Sequence, residues 1–359
     1  MKLEDFARES RATHKGDKSG VPIVGLEHLI PQEIKFTGYD VDTENTFTKA
    51  FKKGQILFGR RRAYLKKAAI ADFDGICSGD ITVIEAIPGK VDPLLLPFII
   101  QNDKFFDYAV SRSAGGLSPR VKWEHLKDYE FDLPSIDEQR ILADKLWAAY
   151  RLKESYKKLL AATQEMVKSQ FIEMFKEKGY PLRMLKSFAD VSTGGTPSKA
   201  NLEYWNGDKP WVSAEDMKNK YVYDTCEKVT EAGYATCKII PVDTLMYVCR
   251  GSIGVMAINK IECATNQSIC RAKCHDNVCN VEFLYHALMY QKDNIKKMGT
   301  GTSFKSLNQT SFSELKIELP PYNEQMKFVS IAQQADKSEF ELRKSIDAID
   351  QVIKSLINN

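Results

Sequence analysis

Two stretches of the chain run without glycine or proline and carry apolar residues at helical spacing, Arg140 to Lys176 and Met326 to Asn359. In the second, Phe328, Ala332, Ala335, Glu339, Leu342, Ile346, Ile349, Ile353 and Leu356 fall at alternating steps of four and three, and only Glu339 interrupts the apolar run. That period predicts a long helix with a coiled-coil seam. In the first, Leu142, Leu146, Ala149, Leu152, Tyr156, Leu160, Thr163 and Val167 trace a rougher seam. Asp137 and Asn323 suit the N-cap positions. Ser135 with Glu138 also fits a capping box, which leaves the start of the first helix open. One amphipathic helix is usually packed on its own domain. Two at equivalent places can supply each other with a partner, through Leu142, Leu146, Leu152 and Leu160 on one and Phe328, Leu342, Ile346, Ile349 and Ile353 on the other.

The segments before each helix mix strand and helix patterns. Ile81-Thr82-Val83-Ile84 and Leu245-Met246-Tyr247-Val248 read as strands, and Phe98 to Val110 and Phe283 to Lys297 as helices. They also repeat each other in order. Leu3-Glu4-Asp5-Phe6-Ala7 matches Leu185-Lys186-Ser187-Phe188-Ala189, and Val21 to Glu27 matches Lys209 to Glu215. Gln55-Ile56-Leu57-Phe58 matches Thr244-Leu245-Met246-Tyr247, and Phe131 to Gln139 matches Ile317 to Gln325 around a shared Leu-Pro-x-x-x-Glu-Gln. This is a diverged duplication of long period, unlike the short periods of solenoids. The predicted fold class is mixed α/β (α+β), in the order domain 1–134, helix 135–178, domain 179–320, helix 321–359.

If the seams pair, the helices run antiparallel and a pseudo-two-fold axis crosses a rod with a domain at either end. A helix of about 38 residues spans roughly 57 Å, against about 34 to 36 Å for one turn of B-DNA. Such a rod is expected to act as a ruler holding two unlike domains on one duplex, so that four residues inserted into both helices change a spacer and leave the half-sites unaltered.

Composition narrows the classes. The 359 residues are 43% hydrophobic and 28% charged, with a formal net charge of +3, ordinary for a soluble protein. No apolar run approaches a membrane span, and Met1 to Phe6 lacks the apolar region of a signal peptide, so a cytoplasmic location with no membrane partner is expected. Seven of the eight cysteines lie between Cys226 and Cys279 without any C-x-x-C spacing, which reads as small apolar strand residues and free thiols and not as a zinc site. The five histidines are scattered.

Local charge is more informative. From Lys49 to Lys67 stand Lys49, Lys52, Lys53, Arg60, Arg61, Arg62, Lys66 and Lys67, with no acidic residue. Such a block suits phosphate contacts, and arginine also reads guanine in the major groove. An isolated basic run is more often a solvated surface, but Arg250 occupies the matching place in the second copy. Ser78-Gly79-Asp80 corresponds to Asn266-Gln267-Ser268, and Ala114 to Arg120 corresponds to Thr300 to Ser306. Gly- and Ser-rich loops with a basic residue approach phosphate closely, and Asn or Gln can read adenine. The candidate DNA-contacting residues are therefore Lys53, Arg60, Arg61, Arg62, Lys66, Arg120, Lys122, Thr196, Arg250, Asn266, Gln267, Thr302 and Lys305. Ordinary turn chemistry is the competing explanation for the loops.

Gly194-Gly195-Thr196-Pro197-Ser198, followed by Tyr204 to Val212, resembles the opening of a target recognition domain in the specificity subunits of Type I restriction-modification systems. Thr265-Asn266-Gln267-Ser268 is similar to that family's mid-domain signature, and the two Leu-Pro-x-x-x-Glu-Gln segments to its helical regions. The resemblance covers essentially the whole chain. The first copy departs from it, with Arg11-Ala12-Thr13-His14-Lys15-Gly16 in place of the glycine-rich opening. The resemblance implies two target recognition domains reading a split, asymmetric site in double-stranded DNA. It implies paired helices that dock two modification (methyltransferase) subunits, and restriction (endonuclease) subunits that join them. S-adenosylmethionine, ATP and magnesium are then expected on those partners, with no cofactor and no catalytic residue here.

Rival classes leave weaker marks. Leu319-Pro320-Pro321-Tyr322 superficially resembles an adenine methyltransferase motif. It begins with Leu, which accepts no hydrogen bond, and it is the counterpart of Leu133-Pro134-Ser135-Ile136. No glycine-rich cofactor loop follows a predicted strand, and neither a carboxylate cluster for a nuclease metal nor a Walker loop is apparent. An inert two-domain scaffold shares the repeat and the helices but leaves the basic block unexplained.

Overall fold

The computed structural model describes residues 1–36, 38–176, 178–298 and 307–358. They form two compact units, one made of Met1–Lys157 with Lys344–Asn359 and the other of Lys158–Arg343. Each unit thus contains a mixed α/β body and a segment of both long helices.

In the first unit a four-stranded sheet has the order Ala7–Glu9, Ile81–Ala86, Ile56–Gly59, Ala68–Ile70, all neighbours antiparallel. A second sheet pairs Ile23–Val24 parallel with Gly75–Cys77, which pairs antiparallel with Lys49–Phe51. The second unit repeats the plan. Ala189–Thr193, Ile269–Cys274, Leu245–Val248 and Met256–Asn259 follow in the same order with the same antiparallel sense, and Tyr221–Val222 adds a parallel edge. Lys35 bridges Ile70 in parallel at the corresponding edge of the first unit. The short parallel pair also recurs, as Trp211 beside Ala264. The matched sequence segments therefore occupy matched strands, and the duplication is one of topology.

Each body is closed where the chain arrives and leaves. Lys2 bridges Glu130 in the first unit, and Met1 and Phe131 exchange backbone hydrogen bonds at 2.9 Å. In the second, Leu182–Met184 runs antiparallel to Lys316–Glu318.

The segment read as one helix from Phe98 to Val110 is two, Leu96–Ile100 and Asp103–Ser111, interrupted at Asn102, whose side chain caps the second. Phe283 to Lys297 divides in the same way into Val281–Tyr290 and Lys292–Met298.

The long helices span Ile136–Phe171 and Tyr322–Asn358. Ser135 precedes the first as a capping box, its amide and hydroxyl both donating to Glu138 Oε2 at 2.9 and 2.6 Å. The second begins one residue before Asn323, so Asn323 lies inside the first turn, and the Pro321 carbonyl accepts from the amides of Glu324 and Gln325. In the first unit Lys153 Nζ meets Asp350 at 2.6 Å, and Ile353, Leu356 and Ile357 share a core with Leu142, Leu146 and Tyr150. Rising numbers on one helix meet falling numbers on the other, an antiparallel pair. In the second unit Gln164 bonds Glu339 at 3.0 Å and the Phe171 and Phe328 rings lie 5.2 Å apart, again antiparallel.

Phe328 and Ile349 are buried, and Leu342, Ile346 and Ile353 are half-buried, along the predicted stripe. On the first helix Leu146 is buried and Leu142 and Leu160 half-buried, but Leu152 is 45% exposed. The buried positions of that helix within the first unit are Gln139, Ala143, Leu146, Tyr150 and Lys153, so the stripe passes one residue to the side of Leu152. A polar Lys153 fills the seam because Asp350 faces it. Among the described residues no helix is long and apolar enough to cross a membrane.

Candidate nucleic-acid interface

In the first unit three loops meet at the end of strand Ile56–Gly59. The Arg60 amide donates to the Asp80 carbonyl at 3.0 Å, the Val121 amide to the Arg60 carbonyl at 3.0 Å, and the Arg62 amide to the Pro119 carbonyl at 2.8 Å. This framework brings Arg61, Arg62 and Arg120 together. The Asp80 carboxylate accepts from Arg120 Nε at 2.7 Å and from Arg61 Nη1 at 3.4 Å. Ser118 Oγ accepts from Arg61 at 3.2 Å and Arg62 at 3.4 Å. The Arg120 hydrogen bond, with help from Arg61 and against partial burial, holds the Asp80 carboxyl below the usual carboxylate range. Arg61 and Arg120 nonetheless keep 38% and 44% of their side-chain surface exposed, so an incoming phosphate or base edge can reach them.

The rest of the basic block divides by partner. Lys49 and Lys67 donate to the carbonyls of Ile81 and Leu26 at 2.7 Å and act as internal struts. Lys66 pairs with Asp103 at 2.6 Å, a carboxylate also held by Lys354 at 3.0 Å, and so faces the helices' side of its unit. Arg60 is half-buried with its Nε enclosed and without a hydrogen-bond partner. Lys53 and Lys122 are exposed.

The second unit builds the same corner. The Cys249 amide donates to the Ser268 carbonyl at 2.8 Å and the Leu307 amide to the Cys249 carbonyl at 2.9 Å, the two bonds that Arg60 makes with Asp80 and Val121. Cys249 therefore stands for Arg60, and the exposed Arg250 for Arg61. Thr302 and Lys305, on the loop that corresponds to 114–120, lie outside the described residues. Beside Arg250 is the Asn266-Gln267 turn. Asn266 Oδ1 accepts from the Ser268 amide at 2.9 Å, and Thr196 Oγ1 donates to Gln267 Oε1. Gly194 explains part of the glycine-rich opening, since a Cβ there would stand 2.1 Å from the Thr265 carbonyl oxygen. The Gly195 amide then bonds the Thr265 carbonyl at 2.8 Å, and Trp211 Nε1 bonds the Gly195 carbonyl at 3.1 Å.

Two features escaped sequence reasoning. Arg271 is buried in strand Ile269–Cys274 and donates to the carbonyls of Lys238 at 2.6 Å and Thr193 at 2.5 Å, securing the root of the Gly194–Pro197 loop from below. Gln139 and Gln325, visible only as repeat letters, are buried fasteners. Gln139 bonds the Pro134 carbonyl and the Asp92 amide, each at 2.9 Å. Gln325 bonds the carbonyls of Pro320 and Val278 and the Asn280 amide, also at 2.9 Å. Leu319-Pro320-Pro321-Tyr322 is accordingly the start of a helix, with Leu319 buried.

One trio of potential metal ligands occurs among the described residues, Glu27, His28 and Asp40. His28 Nδ1 accepts from the Gly25 amide at 2.9 Å, which leaves the proton on Nε2, 3.6 Å from Asp40. That tautomer offers no lone pair to an ion between His28 and Asp40. All eight cysteines are free thiols, five of them buried.

Two α/β bodies with one strand order, each lifting an arginine corner beside a pair of polar loops and each packed on antiparallel helices, define a duplicated loop-presenting protein. The chain belongs to the family of Type I restriction modification DNA specificity domains, whose model matches residues 8–162 and 177–351. It is 28% identical over 208 residues to the Type I restriction enzyme MjaIX specificity subunit of Methanocaldococcus jannaschii, a match covering 54% of this chain and 48% of that protein. It is 31% identical over 171 residues to the EcoR124I/EcoR124II specificity subunit of Escherichia coli, covering 45% of this chain and 42% of that one. These matches span less than half the length of either relative. In fold it is similar to the crystal structure of the Type I restriction-modification S subunit from M. genitalium, with a TM-score of 0.63 and 16% identity, covering 99% of this chain and 95% of that one.

Proposed function

We propose that this chain is the DNA-reading subunit of a Type I restriction-modification complex and performs no chemistry itself. The observation that carries this is the arginine corner built twice on one backbone framework, Arg61 with Arg120 in one unit and Arg250 in the other, beside loops that differ in sequence. Two like frameworks with unlike loops suit the two unlike halves of a split, asymmetric site in double-stranded DNA. The arginines and the exposed Lys53 and Lys122 supply phosphate and guanine contacts. Thr196, Asn266 and Gln267 supply polar base or backbone contacts, and Thr302 and Lys305 are assigned here by their place in the repeat. Lys66, spent on Asp103, contributes least.

The helices carry apolar side chains away from their seam: Ile141, Leu152 and Val352 in the first unit, and Leu159, Met166 and Phe340 in the second, all between 43% and 66% exposed. Such surfaces suit docking of two modification subunits, with restriction subunits joining the assembly. S-adenosylmethionine, ATP and magnesium act on those partners, in the cytoplasm.

The test is methylated-base sequencing of cells carrying this gene with a modification gene, compared with cells lacking this gene alone. Loss of one split motif, two short unlike sequences around a fixed spacer, is expected. A motif that persists without the gene would overturn the assignment.

A further inference from the structure

Resting on that reading, we propose that Leu117 is a reading residue of the first unit, an apolar tip that settles on the methyl group of a thymine in its half-site. Leu117 is 96% exposed. Exposure alone carries little, since single apolar side chains are common on protein surfaces. Its place carries the argument. The Ala114 and Arg120 amides each donate to the other's carbonyl at 2.9 Å, and the Arg62 amide donates to the Pro119 carbonyl at 2.8 Å. The residues between Ala114 and Arg120 are thereby held as a closed loop on the arginine corner. Ser118, next to Leu117, accepts from Arg61 and Arg62, and Arg120 bonds Asp80 at the foot of the loop. The apolar tip thus belongs to the same corner as the groups proposed to meet phosphate and guanine.

A leucine side chain neither donates nor accepts a hydrogen bond, so it gains nothing from phosphate. Along the major groove, where arginine reads guanine, the apolar group that a base edge presents is the C5 methyl of thymine. Insertion between base pairs is the other use of such a residue, and it costs the unstacking of a step, which calls for a side chain braced from behind. Leu117 is not braced. A Cβ at Gly116 would meet nothing within 4 Å, and the nearest neighbours of one at Gly115 would be Ser118 and Pro119 of the same loop, at 3.6 Å. A tip with no packing behind it yields to a base stack and rests against an edge. The arginines of the corner also suit the tip to DNA, whose phosphates attract them, and not to an apolar surface on another protein.

The experiment uses the full modification complex and duplexes carrying its split motif, with each thymine of both half-sites replaced in turn by deoxyuridine, which lacks only the methyl. Wild type is expected to bind one such duplex about fourfold more weakly, the effect of burying one methyl group. Leu117→Ala is expected to bind the thymine and uracil duplexes at that position nearly alike, and Leu117→Met to keep the difference. Because Leu117 touches almost nothing in the free protein, Leu117→Ala is expected to leave thermal unfolding unchanged. Its salt dependence is expected to match wild type, since no phosphate contact is lost.

Wild type indifferent to the methyl at every thymine would overturn the proposal. So would a Leu117→Ala protein that still distinguishes thymine from uracil as wild type does, or one that binds all duplexes equally weakly, the result expected of a tip that docks a protein subunit. A 2-aminopurine beside the position that brightens with wild type and not with Leu117→Ala would show insertion between bases, and would overturn it too. If wild type itself modifies no split motif, the reading beneath the proposal fails, a result visible before any variant is compared.

Discussion

Gln325 is fully buried, and its side chain is the shared partner of the Pro320 carbonyl, the Val278 carbonyl and the Asn280 amide. Gln325→Leu keeps much of the volume and strands all three groups. A buried backbone group left without a partner costs roughly 1 to 3 kcal/mol, and at the lower figure for each the variant loses about 3 kcal/mol. Gln139 joins only two groups in the first unit, Pro134 and Asp92, so Gln139→Leu is expected to lose about 2 kcal/mol. Urea unfolding followed by tryptophan fluorescence reads both, because Trp205 and Trp211 lie in the second unit and Trp123 and Trp147 in the first. With a slope of about 2 to 3 kcal/mol per molar urea, Gln325→Leu moves the second unit's midpoint down by about 1 to 1.5 M. Gln325→Glu gives an independent sign. It sets a carboxylate oxygen against two carbonyls, so it is expected to lose stability as pH rises through the carboxylate range and to regain it in acid. A Gln325→Leu protein that unfolds with wild type would refute the reasoning, for then those three groups must find water without the glutamine.

Burial, with Lys220 adding, pushes His286 down from 6.5 to about 3, so the folded protein keeps it neutral while the unfolded chain takes up a proton below about 6.5. The stability it allows is complete above pH 6.5 and falls as pH drops. Between pH 6.5 and pH 5 the second unit is expected to lose about 2 kcal/mol, seen as a lower urea midpoint, and His286→Phe to lose that dependence. Asp80→Asn releases Arg61 and Arg120 from their carboxylate. It is expected to bind DNA roughly fivefold more tightly at low salt, with a steeper salt dependence and poorer discrimination in titrations against matched and scrambled duplexes. Gly194→Ala drives a Cβ into the Thr265 carbonyl and displaces the Gly194–Pro197 loop. Sequencing of methylated bases is expected to show the second half-site relaxed or lost, with thermal unfolding little changed.

The duplication was legible because a strand's alternation and a helix's period survive divergence, and the strands paired by sequence are the strands paired by topology. The second seam was legible for the same reason. The first was blurred because two of its buried positions are polar. Gln139 and Lys153 belong to the stripe through Asp92 and Asp350, partners that no local pattern announces, and Leu152, the better apolar letter, faces out. Residue type found the arginine corner, but not the sorting of the basic block, which depends on carbonyls and carboxylates far along the chain. Lys49 and Lys67 look like contact residues in sequence and are struts in the fold. Arg271 was missed because a single arginine in a strand carries no signal until Thr193 and Lys238 are seen beside it.

In both units the chain comes in and goes out through one short stretch of paired backbone, Lys2 beside Glu130 and Leu182–Met184 along Lys316–Glu318. Every residue proposed to touch DNA lies between those two ends. A body mounted in this way behaves as a cartridge. Any other fold whose ends emerge one strand spacing apart, about 4.7 to 4.9 Å, can be seated on the same mount. On the proposed function, a single recombination tract bounded by those strands would exchange what is read and leave the helical frame intact, so new specificities would arise by substituting whole bodies, without remaking a recognition surface one residue at a time.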